Sequence, residues 1–154
     1  PEGWGEGRLG GQHLDDPLSW DGIGVPDADT LIGLNDSYFK HHLDRYKYTT
    51  RYEGADAEFH YASGQVYLRA LELRLQRSLF LHGERFTFLD AAIFPFVRQF
   101  RIADMDRFDE EAPEQVRRWV HGLLSAPVFL RVMEKFTPWL DAGDEYPFPP
   151  EAMK

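Results

Sequence analysis

Residues 83–100 read GERFTFLDAAIFPFVRQF, and they carry the strongest helix signal in the chain. Thr87 is followed three residues later by Asp90, a spacing typical of a capping box with Asp in place of the usual Glu or Gln. The Thr87 hydroxyl can accept a hydrogen bond from the Asp90 N–H, and the Asp90 carboxylate can accept one from the Thr87 N–H. The pattern therefore predicts a helix that begins near Phe88.

This predicted helix is apolar nearly all round. Its main stripe consists of Leu89, Ile93, Phe96, Val97 and Phe100, and Phe88, Ala92 and Phe94 cover much of the rest. A helix with so little polar surface belongs in the middle of a bundle. Pro95 lies about two turns in, where it removes one backbone hydrogen bond and is expected to kink the helix.

Asp90 is the costly residue of the stretch, because a carboxylate at the start of a buried helix needs hydrogen bonds. It could be a catalytic acid with a perturbed environment. It could instead be a buried cap that the free N–H groups and the dipole of the helix N-terminus stabilise. The chemistry of the position favours the structural cap, which Asp90 forms together with Thr87.

Composition excludes several classes of function. The 154 residues suffice for one domain with a real core, and the net charge of −9 argues against a nucleic-acid partner. No apolar run has membrane-spanning length and no signal peptide opens the sequence, so we expect a cytoplasmic protein without a membrane partner. The lack of cysteine excludes disulfides, thiolate metal sites and a cysteine nucleophile within the chain.

Helical spacing predicts further helices around the central one. They run from about 29 to 46, from about 56 to 79, from Pro113 through Leu124, and from about 127 onward. In the second, one wide apolar face is expected from Phe59, Val66, Ala70, Leu73, Leu68, Leu71, Leu75 and Leu79, and Ser63-Gly64 indicates a bend or a close contact. The acidic run 109–111 is expected to be a solvated turn. Because helices and strands do not alternate, the fold class is all-α, a bundle of five or more helices.

Composition also divides the chain into three parts. Residues 1–24 hold seven glycines and little periodicity, which is typical of a flexible linker or arm. Residues 25–137 form the predicted helical domain. Residues 138–154 are proline-rich and are expected to be an extended C-terminal tail.

His41, His42 and Asp44 raise the possibility of a metal site in the first helix. Adjacent histidines on a helix diverge by about 100° of rotation, so they cannot readily bind one ion. Surface histidines are the simpler explanation, and no metal ligand is assigned.

The quoted motif resembles a known family. Residues 83–95, GERFTFLDAAIFP, resemble the capping-box helix of the glutathione S-transferase C-terminal domain. Further segments resemble a bacterial subgroup of that family: Asn35-Asp36, residues 39–48 (FKHHLDRYKY), residues 94–100 (FPFVRQF) and residues 132–135 (VMEK). The resemblance covers about 29–137 and implies a glutathione S-transferase C-terminal-like helical bundle.

In that family, glutathione is held mainly by an N-terminal thioredoxin-like domain, and in the subgroup the nucleophile is a Cys-Pro cysteine of that domain. This sequence contains neither. The resemblance therefore implies the helical domain that forms the wall of the hydrophobic-substrate site. It implies glutathione as cosubstrate only beside a thioredoxin-like partner domain, a hydrophobic small molecule as ligand, and the option of a homodimer. It gives this chain no catalytic residue and no cofactor of its own.

By the same likeness, four residues are candidates for substrate binding or for contact with the absent domain: Phe39, His42, Tyr46 and Arg98. Phe39 and Tyr46 lie on the apolar stripe of the first helix, so burial in the core is the simpler explanation for both. Arg98 could contact an anion or a carboxylate through its guanidinium. It could also only reach solvent or a buried acid.

Val25-Pro26 and Asp36-Ser37 together imitate the cis-proline and acidic-Ser pair of a glutathione site. That pair needs a preceding strand–helix–strand unit of about 30 or more residues, and 24 residues precede Val25. We therefore set this alternative aside.

Three functions from different classes fit the sequence. The first is a glutathione S-transferase-like protein with transferase or thiol-transfer activity only when joined to a thioredoxin-like domain. The second is a non-enzymatic helical interaction module, and the third is a small-ligand carrier with an aromatic pocket. We favour the first, and we expect this chain alone to be inactive.

Overall fold

The computed structural model describes residues 27–133 and residue 135. The predicted arm 1–24, the Val25-Pro26 pair and the predicted tail 138–154 lie outside these residues.

The described helices are α1 (Ala28–Leu34), α2 (Lys40–Lys47), α3 (Ala57–Leu75), α4 (Phe88–Ala103), α5 (Met105–Glu111), α6 (Glu114–Leu124) and α7 (Pro127–Val132). This part of the chain contains no strand, only an isolated bridge between Phe80 and Gly83, and the all-α prediction is confirmed. None of these helices combines the length and hydropathy of a membrane span.

The described residues fall in two compact units, and the boundary between them lies after His121. The first unit contains α1 to α5 and most of α6. The second contains the end of α6 and α7, whose start at Pro127 agrees with the predicted fifth helix.

The first predicted helix, from about 29 to 46, is confirmed as α1 and α2, with a π-helical segment, Asn35–Phe39, between them. The Lys40 N–H bonds to the Asn35 carbonyl, five residues back. Such π turns are rare and occur mostly as single insertions in α-helices. Nothing in the apolar spacing predicted this one.

Helix α3 begins at an Asp56 cap, whose carboxylate accepts from the N–H groups of Glu58 at 2.9 Å and Phe59 at 3.2 Å. It ends at Leu75, four residues before the predicted end. The expected apolar face was partly wrong. Phe59, Val66, Ala70, Leu73 and Leu79 are exposed, whereas Leu68, Leu71 and Leu75 are buried together with Tyr61, Gly64 and Tyr67. Both sides of α3 carry apolar residues, so periodicity alone could not select the buried one.

The central helix, α4, begins at Phe88 as predicted and continues through Pro95. Leu89, Ile93, Phe94, Val97 and Phe100 are buried, whereas Phe96 is only half-buried and Pro95 is exposed. Pro95 is thus at an outer position of the helix, where its missing N–H is away from the buried face.

The expected solvated turn at 109–111 was wrong, because these residues complete α5. Asp104 begins this helix, and its carboxylate accepts from the Arg107 N–H at 3.0 Å. Phe108 is fully buried and anchors the segment. Arg107 donates to both carboxylate oxygens of Glu58, at 2.7 and 2.8 Å, and so connects α5 with α3. The acidic residues had suggested solvent exposure, but the single buried ring of Phe108 holds this seven-residue helix against the core.

Helix α6 begins at Glu114, and its apolar positions Val116, Trp119 and Val120 are buried. The Glu72 carboxylate on α3 accepts from the N–H groups of Gln115 at 2.9 Å and Val116 at 3.1 Å. Free N–H groups at a helix start need such partners, so a residue more than forty positions upstream supplies the cap.

Candidate functional site

Asp90 is the most enclosed charged residue described, with 0% of its surface exposed. Its Oδ2 accepts from the Thr87 N–H at 2.9 Å and from the Thr87 hydroxyl at 3.0 Å. Its Oδ1 accepts from the Leu81 N–H at 3.0 Å and from Trp119 Nε1 at 2.9 Å. An ionised carboxylate has about four acceptor sites, and four donors occupy them.

The donors to Asp90 come from three separate parts of the first unit. Thr87 is the residue before α4, Leu81 belongs to the loop after α3, and Trp119 belongs to α6. The Trp119 indole also packs edge-to-face on Phe94, with ring centroids 5.8 Å apart. Because every acceptor site faces a protein donor, the geometry suits a structural carboxylate and leaves no lone pair directed at a substrate.

The Thr87–Asp90 pair was predictable because both residues lie within one turn. Leu81 and Trp119 were not predicted as partners of Asp90. A Trp on an apolar helix face gives no local sign that its indole N–H has a distant carboxylate as acceptor, although a buried indole N–H usually needs a partner.

Two of the predicted substrate-binding residues lie in an aromatic cluster between α2, α3 and α4. Phe39 has no exposed surface, and its ring centroid lies 4.7 Å from that of Tyr67 and 5.4 Å from that of Phe100. Tyr46 is half-buried, 5.2 Å from Tyr61 and 5.2 Å from Phe100. The cluster brings Phe39 and Tyr46 onto the same ring, that of Phe100.

The tyrosine hydroxyls around this cluster are used inside the protein. Burial raises the pKa of Tyr61 to about 12, and its hydroxyl accepts from Gln65 Nε2 at 2.7 Å. Burial also raises the pKa values of Tyr46 and Tyr67, and the Tyr67 hydroxyl donates to the Leu31 carbonyl at 3.1 Å. All three phenols therefore stay protonated at neutral pH.

The two other predicted residues lie elsewhere. Arg98 is half-buried on α4. His42 is 8% exposed, and it faces His60 of α3, which is 7% exposed. Their Nδ1 atoms lie 2.8 Å apart. The structure thus groups His42 with other histidines rather than with Phe39 and Tyr46.

A third imidazole, that of exposed His41, lies beside this pair. One ring nitrogen from each of His41, His42 and His60 lies within 4.8 Å of the others. Burial lowers the pKa of His42 and of His60, and the neighbouring His41 and Arg45 lower both further, so both buried rings are held neutral. The expected surface histidines are confirmed for His41 but wrong for His42, which is buried. His60 comes from α3, so spacing within the first helix could not reveal it.

Two open grooves on the first unit do not involve the predicted substrate-binding residues. One, of about 540 Å³, lies between the start of α1 and the end of α3, near Arg74 and His82. The other, of about 350 Å³, lies between the end of α3 and α6, near Gln115 and Arg118. Arg77 and Ser78 line both grooves.

Residues 67–122 match the sequence profile of the family described as glutathione S-transferase, C-terminal domain. This segment of the chain is therefore similar to glutathione S-transferase C-terminal domains. The matched residues include α4, the Asp90 carboxylate and its Trp119 partner, so the buried network lies inside the matched segment. No curated protein matches the chain in sequence.

Solved glutathione transferases share the fold of this domain. A glutathione transferase family member from Pseudomonas fluorescens, with two glutathione bound, is 17% identical with a TM-score of 0.53, over 68% of this chain and 50% of that one. A glutathione transferase from Burkholderia graminis, with two glutathione molecules bound per subunit, is 19% identical with a TM-score of 0.56, over 68% and 47%. Glutathione S-transferase III in its apo form is 16% identical with a TM-score of 0.57, over 74% and 57%. The aligned part of this domain spans about half the length of these structures.

Proposed function

We propose that this glutathione S-transferase C-terminal domain works beside a thioredoxin-like domain that holds glutathione, and that it supplies the wall of the hydrophobic-substrate site. The family match over residues 67–122 carries the proposal. The glutathione bound in two similar structures supports glutathione as the cosubstrate of the joined protein. The segment 39–48 favours the bacterial subgroup with a Cys-Pro nucleophile, and hence thiol transfer or conjugation as the reaction.

Of the four predicted residues, Tyr46 and Arg98 are the ones that can offer surface to a substrate, because both are only half-buried. Phe39 is enclosed between Tyr67 and Phe100. Phe39 therefore does not contact the substrate. It stabilises the aromatic cluster against which Tyr46 packs. Arg98 offers a guanidinium for a carboxylate of glutathione or of the adjoining domain.

Glutathione chemistry needs a donor within hydrogen-bond reach of the sulfur, and we expect the adjoining thioredoxin-like domain to supply it. Several of the described hydroxyls that could serve are engaged inside the fold. Tyr38 donates to the Ser63 carbonyl at 3.2 Å, Ser37 donates to the Gly33 carbonyl at 2.7 Å, and Ser78 donates to the Phe80 carbonyl at 2.8 Å. We infer that the 154-residue chain by itself neither conjugates glutathione nor exchanges disulfides.

The experiment compares the 154-residue chain with the product of its complete natural gene. Calorimetric titration with glutathione and an assay of conjugation to an aryl halide are run on both proteins, with thiol–disulfide exchange as a third measurement. We expect glutathione binding and at least one activity in the longer protein, and neither in the 154-residue chain.

Micromolar affinity for glutathione in the 154-residue chain would contradict the proposal and favour the Val25-Pro26 and Asp36-Ser37 alternative. A gene product that lacks a thioredoxin-like domain, or that has one and binds no glutathione, would refute the proposed enzyme. A cytoplasmic location and a homodimer remain predictions, which cell fractionation and light scattering test.

A further inference from the structure

Three histidine side chains from two helices meet on the first unit. His41 and His42 lie on α2, shortly after the π-helical segment, and His60 lies on the first turn of α3. The ring centroids of His41 and His42 are 5.0 Å apart, and those of His42 and His60 are also 5.0 Å apart. The cluster therefore brings two adjacent positions of one helix and a third from another helix into one small volume.

The spacing of the ring nitrogens is close to that of a metal centre. Metal–nitrogen bonds of about 2.0–2.1 Å in tetrahedral geometry place neighbouring ligand nitrogens about 3.3 Å apart. The Nδ1 atoms of His42 and His60 lie 2.8 Å apart, so they would separate by about 0.5 Å. His41 has to move further, since its ligand atom lies up to 4.8 Å away, but its side chain is exposed and less restricted by packing than the buried pair.

The direct Nδ1–Nδ1 contact is itself informative. Two neutral imidazoles that face each other through Nδ1 share one proton, so one nitrogen donates and the other accepts. If that proton moves to Nε2 of the donor ring, both rings stay neutral and the lone pairs of both Nδ1 atoms can bind one metal ion. Neutral imidazole suits zinc, copper and nickel, whereas magnesium and calcium prefer oxygen ligands.

We propose that His41, His42 and His60 form a binding site for a divalent first-row transition-metal ion, with three imidazole ligands and at least one coordination position left for water. The site does not depend on glutathione or on a second domain. Three protein ligands with an open position are the arrangement found in catalytic zinc sites, whereas structural sites use four.

Arg45 limits the affinity of this site. Its Nη1 lies 3.0 Å from His41 Nδ1, so its positive charge opposes a cation and its N–H competes for a ligand nitrogen. The guanidinium also stacks over the Tyr52 ring at 4.4 Å. Removal of this charge should strengthen metal binding, an effect opposite to that of removing a ligand.

The test uses the full 154-residue chain, without a histidine tag and treated with a chelator, titrated calorimetrically with Zn²⁺ and spectroscopically with Co²⁺. We expect one equivalent of metal to bind, and the absorption spectrum of the bound Co²⁺ should indicate a low coordination number. His41→Ala and His60→Gln should each weaken binding at least tenfold, and Arg45→Gln should strengthen it. His82→Ala, which removes a histidine outside the cluster, should leave the affinity unchanged.

If His60→Gln does not fold, His41→Ala remains informative because His41 is exposed and its loss should not disturb the core. Circular dichroism can verify that the His41→Ala variant keeps the helix content of the wild type. Added Zn²⁺ should also raise the melting temperature of the wild type and of His82→Ala, but not that of His41→Ala at the same concentration. Absence of binding at millimolar Zn²⁺, or binding that His41→Ala leaves unchanged, would overturn the proposal.

Discussion

Gly64 of α3 faces the ring of Phe100 of α4 so closely that a Cβ atom on Gly64 would lie 2.5 Å from Cε2 and 2.7 Å from Cζ. The ring cannot withdraw, because it is stacked on Tyr61 with an interplanar angle of 11° and is tilted against Tyr46. The absence of a side chain at Gly64 therefore sets how closely α3 approaches α4, and it confirms the close contact expected at Ser63-Gly64.

Gly64→Ala should destabilise the domain, although Ala is the better helix former by about 1 kcal/mol. The added methyl group has to displace a packed aromatic ring, and overpacking of this kind costs about 1–3 kcal/mol. Urea unfolding followed by circular dichroism measures the effect. The matched control is Gly33→Ala in α1, where a Cβ meets nothing within 4 Å. That change should be neutral or stabilising, and a Gly64→Ala variant as stable as Gly33→Ala would contradict the close contact.

Asp90→Ala should lower the free energy of unfolding by about 2 kcal/mol or more, because it leaves the N–H groups of Leu81, Thr87 and Trp119 without an acceptor in a buried place. Thr87→Ala should cost less, since the Thr87 backbone N–H keeps its partner. Thermal and urea unfolding of the two variants give the comparison. If Asp90→Ala melts at the wild-type temperature, the structural-cap account of Asp90 is wrong.

A double-mutant cycle isolates the longest connection in the network. Trp119→Phe removes one donor to Asp90 and keeps an aromatic ring against Phe94. The coupling energy between Asp90→Ala and Trp119→Phe should be clearly different from zero, about 0.5–3 kcal/mol, as for residues in one hydrogen-bond network. Leu123→Ala, on the same helix and without a bond to Asp90, serves as the uncoupled comparison. Additive effects of the Asp90 and Trp119 changes would contradict the network.

Acid should remove the contribution of the ion pair between Arg101 and Asp109. The two hydrogen bonds from Arg101, at 2.9 and 2.6 Å, hold the pKa of Asp109 below its ordinary value. A carboxyl whose folded pKa is lowered stabilises the fold above its unfolded pKa, about 3.9, and loses that contribution as the pH falls through the folded pKa. The difference in unfolding free energy between wild type and Asp109→Asn should therefore be constant near neutral pH and shrink below about pH 4.

Arg101→Gln provides the control for this titration. In that background the carboxylate keeps His121, whose Nε2 lies 3.1 Å from Asp109 Oδ1, but it has lost its bidentate partner, so the effect of Asp109→Asn on stability should vary less between pH 7 and pH 2 than it does with Arg101 present. Urea unfolding at a series of pH values checks both differences. An equally strong pH dependence with and without Arg101 would show that another group sets the pKa of Asp109.

Features that local sequence determines were predicted well, and those that distant contacts determine were not. The start of α4 was predictable because Thr87 and Asp90 lie within one turn, and the first helix because its apolar residues repeat at helical spacing. The buried side of α3 was not, since apolar residues lie on both sides, and the contacts that distinguish them, such as that of Gly64 with the ring of Phe100, come from other helices. Likewise, Trp119 reaches Asp90 across 29 positions, and no periodic pattern contains that information.

The π-helical segment Asn35–Phe39 makes the first helix unusually tolerant of the loss of one residue at that place. A π turn holds one residue more than an α turn, so deletion of one residue there, such as exposed Ser37, would let the backbone close into a regular α-helix while the residues on either side keep their faces. Deletion of one residue from the regular part of α1 would instead rotate the two sides by about 100° relative to each other. Leu31 and Phe39, both buried, could then no longer face the core together, so a lost codon is tolerated at one short segment of this helix and not at its neighbours.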